Sequence, residues 1–324
     1  MTKQTPGEDE SRMSDTIWWA VARTEELSRR KPISVHIRDF PVVLWRDADG
    51  SARALEDRCA HRRAPLSLGC ILGNGAIQCG YHGWTFSGEN GQLIDIPNLK
   101  SDRKFPPVYR ANALGVAEAD GFVRVCLDRN AAPPAPACDL PTFENNEFAG
   151  SQTVSLDHTN FMSALFDDPG LLIQIRGVRF TTYLMSELSE QNGRLVLERS
   201  CQWSSPHWPA PFASDFPITL LISTDPVTGE SNLLLRDDQL KPLLQAVIVP
   251  VPGARGVTQV RWRARVAKDR GGVMAKTMGV AAPFRILPHI DGEALRVLKP
   301  SASIHAEDLR SAITGNTRTR EAAA

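Results

Sequence analysis

The chain has 324 residues, with 37 basic and 37 acidic side chains and a formal net charge of zero. That length favours two domains over one, and the balanced charge excludes the basic surplus that nucleic acid or an anionic membrane surface requires. No run of about 18 apolar residues reads as a membrane span, and the polar, acidic opening MTKQTPGEDESRMSD lacks the apolar stretch of a secretory leader, so the expected compartment is the cytoplasm.

In chain order, residues 1–16 read as a disordered tail. From 17 onward, short runs rich in Val, Ile and Trp alternate with turns: TIWWAVA, ISVHI and PVVLWRD, the last ending in the turn signal DADG. SARALED follows, then a Gly-rich segment carrying Cys and His, and LGVAEADGFVRVCLD reads as a closing hairpin. The expectation is a small all-β domain over 17–128. RNAAPPAPACDLP, 129–141, has the Ala/Pro bias of a linker. A second domain is expected over 142–310. VRFTTYLMSEL and RLVLERSCQW flank Gln191-Asn192-Gly193, a hairpin signal. ITLLISTDP and SNLLLRDD flank Val227-Thr228-Gly229, and VTQVRWRARV alternates as a half-buried strand does. GEALRVL, 292–298, reads as helix, and 311–324 as a second tail. The fold class is therefore α+β, an all-β domain followed by an antiparallel sheet with a few helices.

Six cysteines, Cys59, Cys70, Cys79, Cys126, Cys138 and Cys201, are too few for a disulfide scaffold in a chain this long. In a reducing compartment, closely spaced Cys and His point to a metal instead. Cys59-Ala60-His61, then 17 residues, then Cys79-Gly80-Tyr81-His82 gives C-x-H-x17-C-x2-H. Each half places one thiolate and one imidazole on a single loop, the pattern of a Rieske-type [2Fe–2S] centre. There, two Cys hold one iron and two His the other, which raises the potential above that of an all-Cys cluster. Zinc is the alternative for two Cys and two His, but zinc modules usually pair Cys with Cys and His with His along the chain. Glycines in these loops free backbone N–H groups to donate to sulfur. Cys70 has no partner in a matching place and is expected to be a small buried hydrophobe. Arg62 and Arg63 either orient a carboxylate or a docking redox partner, or form a solvated surface pair.

The stretch IWWAVARTEEL…PVVLWRDADGSARALEDRCAHRRAPLSLG…IQCGYHGWTFSGENGQLIDIP, over residues 17–97, resembles the oxygenase subunits of Rieske non-haem iron oxygenases, in the branch of vanillate O-demethylase and dicamba monooxygenase. The resemblance implies a trimeric or hexameric ring fed by an NAD(P)H-linked reductase or a ferredoxin. It implies that the cluster on Cys59, His61, Cys79 and His82 serves a neighbour's mononuclear Fe(II). It also implies a helix-grip second domain, a curved antiparallel sheet around a long helix and an apolar pocket.

In that family the second iron is held by two His and a carboxylate, both His coming from N-x-x-D-x-x-H-x-x-x-x-H. The matching stretch here runs from Asn160 to Leu171. Asn160 fits, but Ser163 replaces the bridging Asp, Phe166 the first His and Leu171 the second. Downstream, Ala294 follows Glu293 where the third ligand is expected, with Asp291 and Asp308 as the other counterparts. Phe and Leu cannot coordinate iron, so the implied chain keeps its cluster, lacks its own mononuclear Fe(II) and acts with a catalytically complete homologous subunit. The alternative is an active monooxygenase, hydroxylating or demethylating a small organic substrate at a site rewired from His158, His207 or His289 with Asp157, Asp167 or Asp168. His36 and His305 read as structural groups. A third reading, a non-redox protein binding an apolar ligand in the second domain, conflicts with the cluster motif.

Overall fold

The computed structural model describes residues 16–99, 104–134, 148–203, 217–266 and 284–288. The N-terminal tail, most of the Ala/Pro linker, the helix expected at 292–298 and the C-terminal tail lie outside the described residues. The main division of the chain into two compact units falls between Cys138 and Asp139.

Among the described residues the first unit is all β apart from short 3₁₀ turns: β1 (Trp19–Arg23), β2 (Ile33–Ile37), β3 (Phe40–Arg46), β4 (Ala52–Glu56), β5 (Cys70–Ile71), β6 (Ile77–Gln78), β7 (Thr85–Phe86), β8 (Leu93–Asp95), β9 (Gly115–Ala119) and β10 (Phe122–Cys126). They form three antiparallel sheets, β1-β10-β9, β2-β3-β4 and β5-β6-β7-β8. Asp120 and Gly121 both take positive φ, 55° and 75°, as the tight turn between β9 and β10 requires. Their hairpin lies beside β1, with Trp19 opposite Val125, so the two ends of the unit close on one another. The four-stranded sheet carries the cluster loops, and its core gathers Trp45, Leu55, Leu66, Ile77, Phe86 and Leu93, each 2% exposed or less. Trp45 also donates from Nε1 to the Gly75 carbonyl at 2.9 Å, which satisfies its polar edge inside that core.

The second unit contains β11 (Phe148–Val154), α1 (His158–Asp167), β12 (Ile173–Ile175), β13 (Val178–Met185), β14 (Ser189–Gln191), β15 (Arg194–Trp203), β16 (Pro217–Thr224), β17 (Ser231–Arg236), β18 (Pro242–Pro252), β19 (Thr258–Val266) and β20 (Phe284–Ile286). One antiparallel sheet of order β11-β19-β18-β17-β16-β15-β13, with β14 on β15, dominates it. Asn192 and Gly193 have φ 51° and 74°, and they join β14 to β15 as the sequence signal implies. Helix α1 starts at Asp157, whose side chain accepts from the Asn160 amide at 2.9 Å. Phe161, Met162, Leu165 and Phe166 then bury against the inner-face residues of the sheet, among them Leu197, Leu220, Ile222, Leu233 and Leu235. This is the α+β arrangement expected, although the long helix of a helix grip is not among the described elements. Strand β19 departs from the half-buried expectation. Arg261 and Arg263 are each only 8% exposed, because Val247 and Val249, their register partners on β18, are buried as well and the strand's centre is covered on both faces. No helix of the described residues is long and apolar enough to cross a membrane.

Candidate metal centre

Two loops built alike bring the Cys/His motif together. In the first, between β4 and a 3₁₀ turn at Leu66–Leu68, the Cys59 amide donates to Ala64 O at 2.8 Å and the Arg63 amide donates to Cys59 O at 2.9 Å. In the second, between β6 and β7, the Cys79 amide donates to Trp84 O at 2.8 Å and the Gly83 amide donates to Cys79 O at 3.0 Å. Each loop turns through a left-handed residue four places after its cysteine, Arg63 at φ 59° and Gly83 at φ 70°. The second loop needs glycine there, since a Cβ at 83 would lie 2.5 Å from Pro97 Cγ.

The loops sort their donors by depth. Cys59 and Cys79 are 2% and 3% exposed and belong to the apolar core of the unit, whereas His61 and His82 stand at the surface. Burial pushes the Cys59 thiol up to about 11, the neighbouring Cys79 adds to the rise, and the amides of His61 and Arg62 work against it by donating to the sulfur. A thiol raised in this way gives up its proton to an arriving metal. The His61 and His82 rings lie 4.7 Å apart at 60°, His61 stacks on Trp84 at 4.6 Å and 4°, and Tyr81 packs on His82 at 3.9 Å. Desolvation, the His82 ring and the Arg62 guanidinium shift His61 below its ordinary value, which favours the neutral ring that a metal needs.

Two sulfurs at the buried end and two imidazoles at the exposed end match a two-iron cluster with one pair on each iron. The residues therefore fit the cluster, and Cys59, His61, Cys79 and His82 are the four that would hold it.

Support comes from a residue that the motif does not name. Asp57, 5% exposed, accepts from Ser34 Oγ at 2.9 Å, from the Ser67 amide at 2.7 Å and from Ser67 Oγ at 2.6 Å. It thereby ties β2 and the 3₁₀ turn to the entrance of the first loop. Arg63 spends its guanidinium on Glu56 at 2.7 Å, and Arg62 stays exposed beside His61. Cys70 departs from expectation: it is exposed, because the two-residue strand β5 forms the edge of its sheet and turns that side chain outward.

The residues matched to the second iron lie on α1 and the 3₁₀ turn Pro169–Leu171. Asn160 donates from Nδ2 to Asp157 and so belongs to the helix cap. Ser163 is 7% exposed and its Oγ has no hydrogen-bond partner, Phe166 is 4% exposed in the apolar core, and Leu171 is half-buried. His158 Nε2 lies 3.1 Å from Thr228 O, and Asp168 accepts from the Gly170 amide at 3.0 Å. His207, His289, Asp291, Glu293, Ala294, His305 and Asp308 lie outside the described residues. Ser163, Phe166 and Leu171 offer neither imidazole nor carboxylate, so this set does not fit a mononuclear iron. Arg199, which pattern reading passed over, contacts this same segment. It donates from Nη2 to the carbonyl of Phe166 and, at 3.1 Å, to that of Asp167. Its signal is the alternation Leu195, Leu197, Arg199, Cys201, which places an arginine on the inner face.

Comparison with known proteins agrees with this geometry. The family described as "Rieske [2Fe-2S] domain" matches residues 17–109. "Protein TIC 55, chloroplastic" of Arabidopsis thaliana is 31% identical over 189 residues, 55% of this chain and 34% of that protein. "Dicamba O-demethylase, oxygenase component" of Stenotrophomonas maltophilia is 42% identical over 106 residues, 33% of this chain and 30% of that protein. The chain thus spans about a third of the length of these curated relatives. A crystal structure of dicamba monooxygenase bound to dicamba superposes with a TM-score of 0.60 at 19% identity, covering 96% of this chain and 92% of that one. Residues 17–109 are thus a Rieske [2Fe–2S] domain, and the chain shares its fold with dicamba monooxygenase.

Proposed function

We propose that this chain is an electron-carrying subunit of a Rieske oxygenase system. It takes electrons from an NAD(P)H-linked reductase or a ferredoxin in the cytoplasm. It delivers them to a catalytically complete homologous subunit within a trimeric or hexameric ring, and holds no mononuclear iron of its own. Cys59, His61, Cys79 and His82 hold the cluster, which when bound supplies one-electron transfer at a potential raised by imidazole ligation. The chain's own residues fix the route. Cys59 and Cys79 anchor the buried end in an apolar core that excludes water, and His61 and His82 sit at the surface where a partner can approach.

One observation carries the reading: both cluster loops are complete while Ser163, Phe166 and Leu171 stand at the places matched to the bridging carboxylate and the two imidazoles. Iron and sulfide analysis tests it. Two iron and two sulfide per chain are expected, and a third iron with oxygen consumption coupled to product on the isolated chain would replace it with the rewired monooxygenase. Co-expression with a homologue that retains H-x-x-x-x-H should give a mixed complex whose turnover with a reductase falls when His82 of this chain is changed to Ala.

A further inference from the structure

Arg199 stands on the inner face of β15, in a cross-strand row that includes Leu220, Leu235 and Leu244. Those leucines have no solvent exposure and Arg199 has 1%. A guanidinium in such a row is destabilising unless negative charge meets it. What meets it is the C-terminal end of α1. Nη2 donates to the carbonyls of Phe166 and Asp167 and lies 3.2 Å from Met185 Sδ, while Nε is buried without a hydrogen-bond partner. These carbonyls are the negative end of the helix dipole, and the carboxylates of Asp167 and Asp168 lie near enough to act on the charge.

The segment that Arg199 grips is the one matched to the family's iron motif. Phe166, at the place of the first imidazole, offers Arg199 its own carbonyl, and the chain then runs through the 3₁₀ turn to Leu171, at the place of the second. In the resemblance drawn from the sequence, a dication sits among side chains from these positions. We propose that the Arg199 guanidinium takes over that positive charge, locks the end of α1 to the sheet, and so closes the second unit to a divalent metal. The inference rests on the proposed reading that the chain lacks a mononuclear iron, and goes beyond it. Loss of the two imidazoles removes the ligands, whereas a fixed cation at the same backbone repels any metal that restored ligands would attract.

The test uses the full-length, cluster-loaded chain carrying Phe166→His and Leu171→His, with Arg199 intact or changed to Met. Co²⁺ is the probe, read as cobalt per chain by elemental analysis and as the visible absorption of a His-ligated cobalt. The cluster's paramagnetic resonance signal and thermal melting report that each variant is folded. With Arg199 intact, binding is expected to be weak. Arg199→Met should tighten it by at least about a hundredfold, because a unit charge within hydrogen-bonding reach of the ligand backbone acts on a dication in a poorly hydrated interior. Should Met prevent folding, Arg199→Gln decides the question, since it keeps donors for the carbonyls without the charge, and Arg199→Lys should keep metal out. Equal Co²⁺ affinity with and without the cation overturns the inference. A third iron on the unaltered chain instead overturns the proposed function, so the two failures are distinguishable.

Discussion

Asp57 offers a direct measure of how the fold holds the first cluster loop. Its carboxylate is almost fully buried and accepts three hydrogen bonds of 2.6–2.9 Å from Ser34 and Ser67. Hydrogen bonds to a charged group are worth about 1.5–3 kcal/mol each, but their losses do not add when one residue makes them all. Asp57→Ala leaves the Ser67 amide and two hydroxyls without their acceptor, so a loss of about 3 kcal/mol is expected for the first unit. Ser67→Ala removes the Oγ bond alone and should cost about 1–2 kcal/mol. For a unit of this size 1 kcal/mol corresponds to a shift of about 4 °C in Tm, so Asp57→Ala should melt about 12 °C below the parent and Ser67→Ala about 4–8 °C below. Melting is followed by the visible circular dichroism of the cluster together with the far-ultraviolet signal, at one scan rate. The double variant should show a coupling of at least about 1 kcal/mol between the two residues. If Asp57→Ala melts within about 4 °C of the parent, the clamp is not stabilising the loop and the reasoning fails.

Three further outcomes are expected. Burial pushes the Asp47 carboxyl up, but the Arg53 guanidinium at 2.7 Å and the amides of Ser51 and Asp49 outweigh it and hold the carboxyl below its ordinary range. With a depressed folded value, the stabilisation is present above the unfolded carboxylate range and is lost as pH falls through the folded value. The stability gap between the parent and Asp47→Asn should therefore be full at pH 7 and close below about pH 4 in denaturant titrations. Gly193→Ala places a side chain at φ 74° in open space and should cost about 1 kcal/mol from backbone strain alone. Gly83→Ala, at φ 70° and against Pro97 Cγ, should cost more and lower the iron content, and equal costs would refute the steric argument. His61→Ala and His82→Ala should each abolish the resonance signal of a His-ligated [2Fe–2S] centre, and zinc at one equivalent without sulfide would refute the cluster assignment.

Much of this was legible because the relevant signals are local. The Cys and His spacing, the Asp120-Gly121 and Asn192-Gly193 turns and the strands they join depend on residues within a few places of each other. The misjudged positions depend on distant neighbours. Cys70 is a hydrophobic residue type on an edge strand, and only the pairing order shows which side of β5 is open. Arg261 and Arg263 obey the alternation of β19, but burial of the valines beside them depends on what covers that face. The Asp57 clamp joins residues 23 and 10 places apart, which no motif expresses. Arg199 was readable in part, since the alternation along β15 puts it inside. Its contact with the matched helix depends on packing between elements 32 and 33 residues apart.

The matched pair of loops also bears on what orders the four donors of the cluster. Main-chain hydrogen bonds at both ends of each loop, a core of large apolar residues beneath them, and the flat stack of Trp84 on His61 set the shape of the cradle from the polypeptide itself. Small zinc modules are different, since their chain orders only around the ion. Here the polypeptide's own bonds and packing share with the cluster the work of holding Cys59, His61, Cys79 and His82 in place.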